Sequence, residues 1–111
     1  MPELDTTKLK LQPRYLNMLL ELIRQHLPQA QIWAYGSRVT SNCHEASDLD
    51  LVARNPVALD QSLLDLFDFQ EALVQSNLPI RVDVVDWAQI PEMFQREIER
   101  GYVEIGKGQK N

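Results

Sequence analysis

The chain has 111 residues, 44% of them hydrophobic, with 11 Lys and Arg against 16 Asp and Glu for a formal net charge of −5. That length suits one domain with a modest core, and 1–111 reads as a single unit with a frayed tail at 106–111. The acidic balance excludes broad, unspecific nucleic-acid binding, which needs basic surface. The apolar runs are too short to span a bilayer, and the N-terminus lacks the apolar core of a signal peptide. Cys43 is the only cysteine, so no intrachain disulfide can form, and a reducing cytoplasm is the natural setting.

In chain order, Leu16, Leu19, Leu20, Ile23 and Leu27 recur at helical spacing over 14–27, with Pro13 fitting the first turn and Pro28 ending the pattern. Ile32-Trp33-Ala34-Tyr35 predicts a short strand stopped by Gly36. Leu49 to Ala53 predicts a second strand, closed by Asn55-Pro56. From Leu59 to Val74 the spacing predicts an amphipathic helix with Leu59, Leu63, Leu66, Phe67, Leu73 and Val74 on one broad face, closed by Asn77. Ile80 to Val85 is β-rich and predicts a third strand. Pro91 opens a last helix that Gly101 ends, and Tyr102 to Ile105 predicts a short final strand. The succession predicts an α+β, layered α/β architecture with a small mixed sheet flanked by helices.

Three features carry chemistry. Gly36-Ser37-Arg38 directly follows a strand. Gly36 lets the backbone turn sharply and approach a ligand, a helix beginning there would aim N–H groups at an anion, and Ser37 and Arg38 add donors. A triphosphate suits that cradle, although an ordinary strand-to-helix turn with a Ser cap also accounts for the pair. Asp48-Leu49-Asp50 places two carboxylates on one strand face, where they repel each other unless a cation such as Mg²⁺ lies between them. A plain polar strand face is the alternative. Asp83 lies opposite Ile80, Val82 and Val84 in its strand. If that strand neighbours Asp48–Asp50, the third carboxylate joins the pair and makes a two-metal site for in-line phosphoryl chemistry. Asp86 competes with it, but Asp86-Trp87-Ala88-Gln89 is similar to a helix capping box, so Asp86 reads as a cap.

Other residues take ordinary roles. Cys43-His44 has no second ligand pair at zinc spacing and reads as loop. His26 complements a helix C-terminus. Trp33 and Trp87 read as packing residues, Arg54 is a weaker phosphate candidate than Arg38, and nothing singles out Tyr15, Tyr35 or Tyr102 as an acceptor.

Gly36-Ser37, ten intervening residues and Asp48-Leu49-Asp50 resemble the Gly-Ser-x10-Asp-x-Asp signature of the DNA polymerase β-like nucleotidyltransferases. Arg81-Val82-Asp83-Val84-Val85-Asp86-Trp87 resembles the segment carrying that superfamily's third carboxylate. The resemblance runs from Ile32 to Glu104, includes the Pro91-Glu92-Met93-Phe94 helix start, and is nearest to the minimal, MNT-type nucleotidyltransferases. It implies a polymerase β-like core that moves AMP from ATP to a hydroxyl, a tyrosine's, of a HEPN-domain toxin encoded nearby, as the antitoxin of the pair. By the same resemblance Gly36 and Ser37 bind the triphosphate, Asp48 and Asp50 bind Mg²⁺, and Asp83 completes the metal site and helps activate the acceptor oxygen. Many relatives carry Gly a few residues after Gly-Ser, where this chain has Thr40-Ser41-Asn42. Ser41 at positive φ would cost about 1 kcal/mol, and Asn42 less. Two other functions fit fewer features. One is a non-catalytic module that occludes its partner, which has no need of clustered carboxylates. The other is a small-molecule nucleotidyltransferase, for which the chain is short. For a transferase the acceptor must come from outside, because the phosphate loop, carboxylates and supporting helices use nearly the whole chain.

Overall fold

A computed structural model describes Leu9, residues 11–36, Val39, and residues 48–63 and 65–107. The first helix, α1, spans Pro13–His26, with Pro at its start and Arg24 and His26 complementing the C-terminal dipole in its last turn. It buries Leu19 and Ile23, and the Leu27 N–H closes it onto the Ile23 carbonyl at 2.7 Å. Strands β1 (Gln31–Tyr35) and β2 (Leu49–Arg54) follow, then α2 (Leu66–Gln75), β3 (Val82–Asp86), a 3-10 turn over Trp87–Gln89, α3 (Glu92–Glu99) and β4 (Val103–Lys107).

The four strands form one mixed sheet in the order β3-β2-β1-β4. β1 runs antiparallel to both β2 and β4, whereas β2 and β3 are parallel. A parallel pair needs a crossover long enough to return the chain to its starting edge, and the segment containing α2 supplies it.

Alternation divides the side chains between two layers. Ile32, Ala34, Leu49, Leu51 and Ala53 face α1 and α2 and share a core with Leu19, Ile23, Phe69 and Leu73, with Val82 and Val84 packed against it. Trp33 and Val52 face the other way, toward Trp87 and Ile98, with Tyr35, Val85 and Phe94 packed beside them. Trp33 meets Trp87 edge-on, with centroids 5.5 Å apart, and stacks on Tyr102 at 3.8 Å. Arg54 lies over both tryptophans, its guanidinium carbon 3.9 Å from the Trp33 centroid and 4.5 Å from that of Trp87. Its Nη1 donates to Gln31 Oε1 at 2.8 Å. Arg54 therefore belongs to an aromatic cluster four residues along β2 from Asp50, and the two tryptophans are packing residues.

Two boundaries differ from the sequence expectation. The second helix begins at Leu66, not Leu59. Pro56 and the Asn55 side chain, which accepts from the N–H groups of Val57 and Ala58, hold the chain in turns instead. Phe67 and Val74, expected on the buried face, are 67% and 80% exposed, and Phe69 is buried in their place. The final strand continues through Gly106 and Lys107, where a frayed tail was expected. A Cβ on Gly106 would lie only 3.0 Å from Ile32 Cγ1, so this glycine marks a close approach between β4 and β1 rather than a stop. Among the described residues no helix is long and apolar enough to cross a membrane.

Candidate active site

The end of the sheet where β1 stops and β2 and β3 begin brings together Tyr35 and two acidic residues of the second layer. Tyr35 pairs with Asp50 across the antiparallel β1–β2 ladder, and Asp50 pairs with Asp83 across the parallel β2–β3 ladder. Three neighbouring strands thus set Tyr35, Asp50 and Asp83 side by side. Asp48 stands two residues before Asp50, just ahead of β2, and is exposed. The parity of Asp50 against Leu49 and Leu51, and of Asp83 against Val82 and Val84, is the parity of the structure.

Gly36 makes the turn after β1 with φ of +82°, the left-handed region that residues with a Cβ avoid. A Cβ built there would lie 2.6 Å from Asp50 Oδ2. The glycine is thus required twice, for its own backbone angle and for the space the Asp50 carboxylate occupies. The Val39 N–H donates to the Gly36 carbonyl at 3.0 Å, tightening the turn. Ser37, Arg38, Thr40, Ser41, Asn42, Cys43 and His44 lie outside the described residues.

The electrostatics follow from this crowding. The Asp50 carboxyl is held above the usual carboxylate range by burial, then by the charge of Asp83, then by that of Asp48. Burial, Asp50 and Asp83 push the Tyr35 phenol up to about 12, so it keeps its proton at neutral pH. Asp83 is half-exposed, and one of its oxygens accepts from Arg81 Nε at 3.1 Å. Among the described residues no three Asp, Glu, His or Cys side chains converge tightly enough to enclose an ion as they stand. The donors fit a hard divalent cation in kind, being carboxylates whose mutual repulsion a positive charge would relieve. Arg81 now supplies part of that relief.

An open hollow of about 470 Å³ lies over this group, lined by Tyr35, Asp50, Asp83, Gln70, Val74 and Phe94 among others. Phe94 meets the Tyr35 ring edge-on at 5.7 Å, and Gln70 Nε2 donates to the Val84 carbonyl at 3.0 Å, fixing α2 to β3. Asp86 turns away as expected of a cap, accepting from the Ala88 N–H at 3.1 Å at the start of the 3-10 turn. Tyr35, Phe94 and Gln70 had no place in the sequence reading of the site. Tyr35 had a usable signal: it precedes the turn glycine and shares its strand face with Trp33. Gln70 and Phe94 are brought in by packing alone.

Comparison with known proteins agrees with the geometry. Residues 17–109 match the polymerase β nucleotidyltransferase family. The chain is 35% identical over 103 residues to a probable protein adenylyltransferase, MntA, of Haemophilus influenzae, covering 93% of this chain and 89% of that one. Its fold is that of a crystal structure of a toxin–antitoxin with AMP-PNP (TM-score 0.65, 19% identity). It is also that of a toxin–antitoxin MntA–HepT crystal structure (TM-score 0.61, 18% identity). Each superposition covers 86% of this chain and 74% of the other. The chain belongs to the polymerase β nucleotidyltransferase family, as an MNT-type member.

Proposed function

We propose that the chain, acting as one unit, is a Mg²⁺-dependent adenylyltransferase that moves AMP from ATP to a hydroxyl, a tyrosine's, of a HEPN-domain toxin, and so serves as its antitoxin in the cytoplasm. The observation that carries this reading is the in-register pair Asp50–Asp83 on parallel strands, with the Asp50 carboxylate against a glycine that leaves room for nothing larger. The relative named a protein adenylyltransferase and the toxin–antitoxin structures support the acceptor class.

Asp48, Asp50 and Asp83 are the residues that would hold the metal. A bound ion would neutralise charge on the triphosphate and make the acceptor hydroxyl easier to deprotonate. Gly36 opens the turn whose backbone, with Ser37 and Arg38, receives the phosphates. Transfer forms a bond from the acceptor oxygen to the α-phosphorus and breaks the bond to the oxygen bridging to the β-phosphate. Pyrophosphate leaves, and the acceptor proton passes to Asp83. The Tyr35 phenol, kept protonated by burial and the charges of Asp50 and Asp83, leaves the hollow without a third negative group.

Intact-mass spectrometry of the toxin after incubation with this chain, ATP and Mg²⁺ tests the reading. The expected result is one or more added AMP masses, absent with Asp48→Asn. A complex that forms and silences the toxin without any mass gain would overturn it in favour of occlusion.

A further inference from the structure

The outer face of α2 differs from those of the other two helices. On α1, Arg24 pairs with Glu21. On α3, Arg96 pairs with Glu92 and Glu99, and Arg100 with Glu97. On α2, Asp68 and Glu71 are exposed and have no ion-pair partner among the described residues. The sequence offers none nearby, since residues 55–80 contain Asp60, Asp65, Asp68 and Glu71 but no Lys, Arg or His.

The same face carries exposed apolar surface. Phe67 is 67% and Val74 80% exposed. Seven residues apart on a helix they share one side, with Glu71 between them. Single exposed hydrophobes are ordinary, but this stripe has a destination: Val74 also lines the hollow over Asp50 and Asp83. Unpaired acids and an apolar stripe therefore lead along α2 into the candidate active site.

We infer that this ridge docks the protein supplying the accepting hydroxyl, through a segment of that protein that is basic and carries its own apolar stripe. The inference rests on the transfer reading for what happens in the hollow, but not for the docking itself. Charge selects the occupant. An acidic ridge repels the phosphates of a nucleic acid, and it repels the same ridge on a second copy of this acidic chain. A basic, partly apolar protein surface meets both features at once, with apolar contact giving lifetime and opposite charge giving encounter rate and orientation.

The experiment uses the full chain and its HepT-type toxin partner, with the dissociation constant measured by calorimetry and AMP transfer by intact mass. The variant is Phe67→Ser with Glu71→Lys, both on exposed positions outside the hollow, and its folding is checked by its melting temperature. Glu97→Lys makes the same charge change on α3 and serves as the control. The double variant is expected to weaken the complex, and kcat/KM for the toxin with it, on the order of tenfold or more, while Mg-ATP binding and the Glu97→Lys complex stay as in the wild type. Unchanged affinity in the double variant, an equal loss in Glu97→Lys, or a wild-type chain that binds no partner overturns the ridge. Weakened binding in the double variant, with no AMP ever added by the wild type, leaves the ridge standing and overturns the transfer reading alone.

Discussion

Replacing Gly36 with Ala separates what the turn does for stability from what it does for the site. A residue with a Cβ held at φ of +82° costs about 1–2 kcal/mol. For a chain of this length that lowers the melting temperature by roughly 4–8 °C. The new Cβ also falls 2.6 Å from Asp50 Oδ2, and the carboxylate must retreat by roughly 0.8 Å to restore van der Waals contact. A displacement approaching 1 Å at reacting groups costs about 100-fold in rate. Gly36→Ala should therefore melt a few degrees lower yet lose AMP transfer about 100-fold at temperatures where it is fully folded. Gly106→Ala is the matched control. Its Cβ would press on Ile32 at 3.0 Å, an overpacking cost of about 1–3 kcal/mol, but in the layer away from the carboxylates. It should lose stability and keep kcat. Thermal melts by circular dichroism and single-turnover transfer assays read the two effects separately. Wild-type transfer by Gly36→Ala, or equal rate losses in both variants, would refute the reasoning.

Further outcomes follow from the same geometry. Asp50→Asn should abolish transfer while raising the melting temperature of the metal-free protein at neutral pH, because it removes a carboxylate crowded by burial, Asp83 and Asp48. The folded state binds the Asp50 proton more tightly than the unfolded chain does. Asp50 thus contributes stability that is present below about pH 4 and lost as pH rises through its raised pKa; denaturant titrations across that range should show this contribution in the wild type and not in the variant. The Tyr35 phenol should ionise near pH 12 in an ultraviolet titration, and Asp50→Asn with Asp83→Asn should move it back toward 10, which Tyr35→Phe confirms by deleting the transition. Mg²⁺ should raise the melting temperature of the wild type, with chelator reversing the gain, and should do so much less for the Asp48→Asn, Asp50→Asn or Asp83→Asn proteins; an equal gain in all four would remove these carboxylates from the metal. Arg54→Met should cost on the order of 1–2 kcal/mol through lost contact with Trp33 and Trp87, with transfer unchanged in the folded protein.

Much of this arrangement could be read from residue order because it rests on parity. Asp50 alternates with Leu49 and Leu51, and Asp83 alternates with Val82 and Val84, so the core fixes which way these two carboxylates point. What parity cannot supply is adjacency. That Asp83 sits opposite Asp50 rather than a residue above or below depends on the crossover, and Tyr35 enters the site only through long-range pairing of β1 with β2. The helical period overran its true start because Leu59, Leu63 and Leu66 keep a helical spacing through a stretch that Pro56 and the Asn55 side chain hold in turns. The same period put Phe67 and Val74 inside and overlooked Phe69, since apolar residues on both sides of α2 leave the buried side undetermined. The tail was expected to fray from Gly106 on because the β-rich letters end at Ile105, and a glycine that lets two strands touch gives no signal of it in one dimension.

The Asp50–Asp83 register also decides where the chain tolerates a change of length. One residue inserted between Ile80 and Asp83 would turn the carboxylate to the opposite side of β3, among the leucines and valines under α1 and α2, and bring a valine toward the hollow. Residues 55–63 form turns against the surface, where an added residue costs only a few tenths of a kcal/mol in closure entropy. Natural variation in spacing between the second and third acidic positions should therefore gather ahead of α2, and the stretch from Leu78 to Asp83 should hold its length even where its letters change.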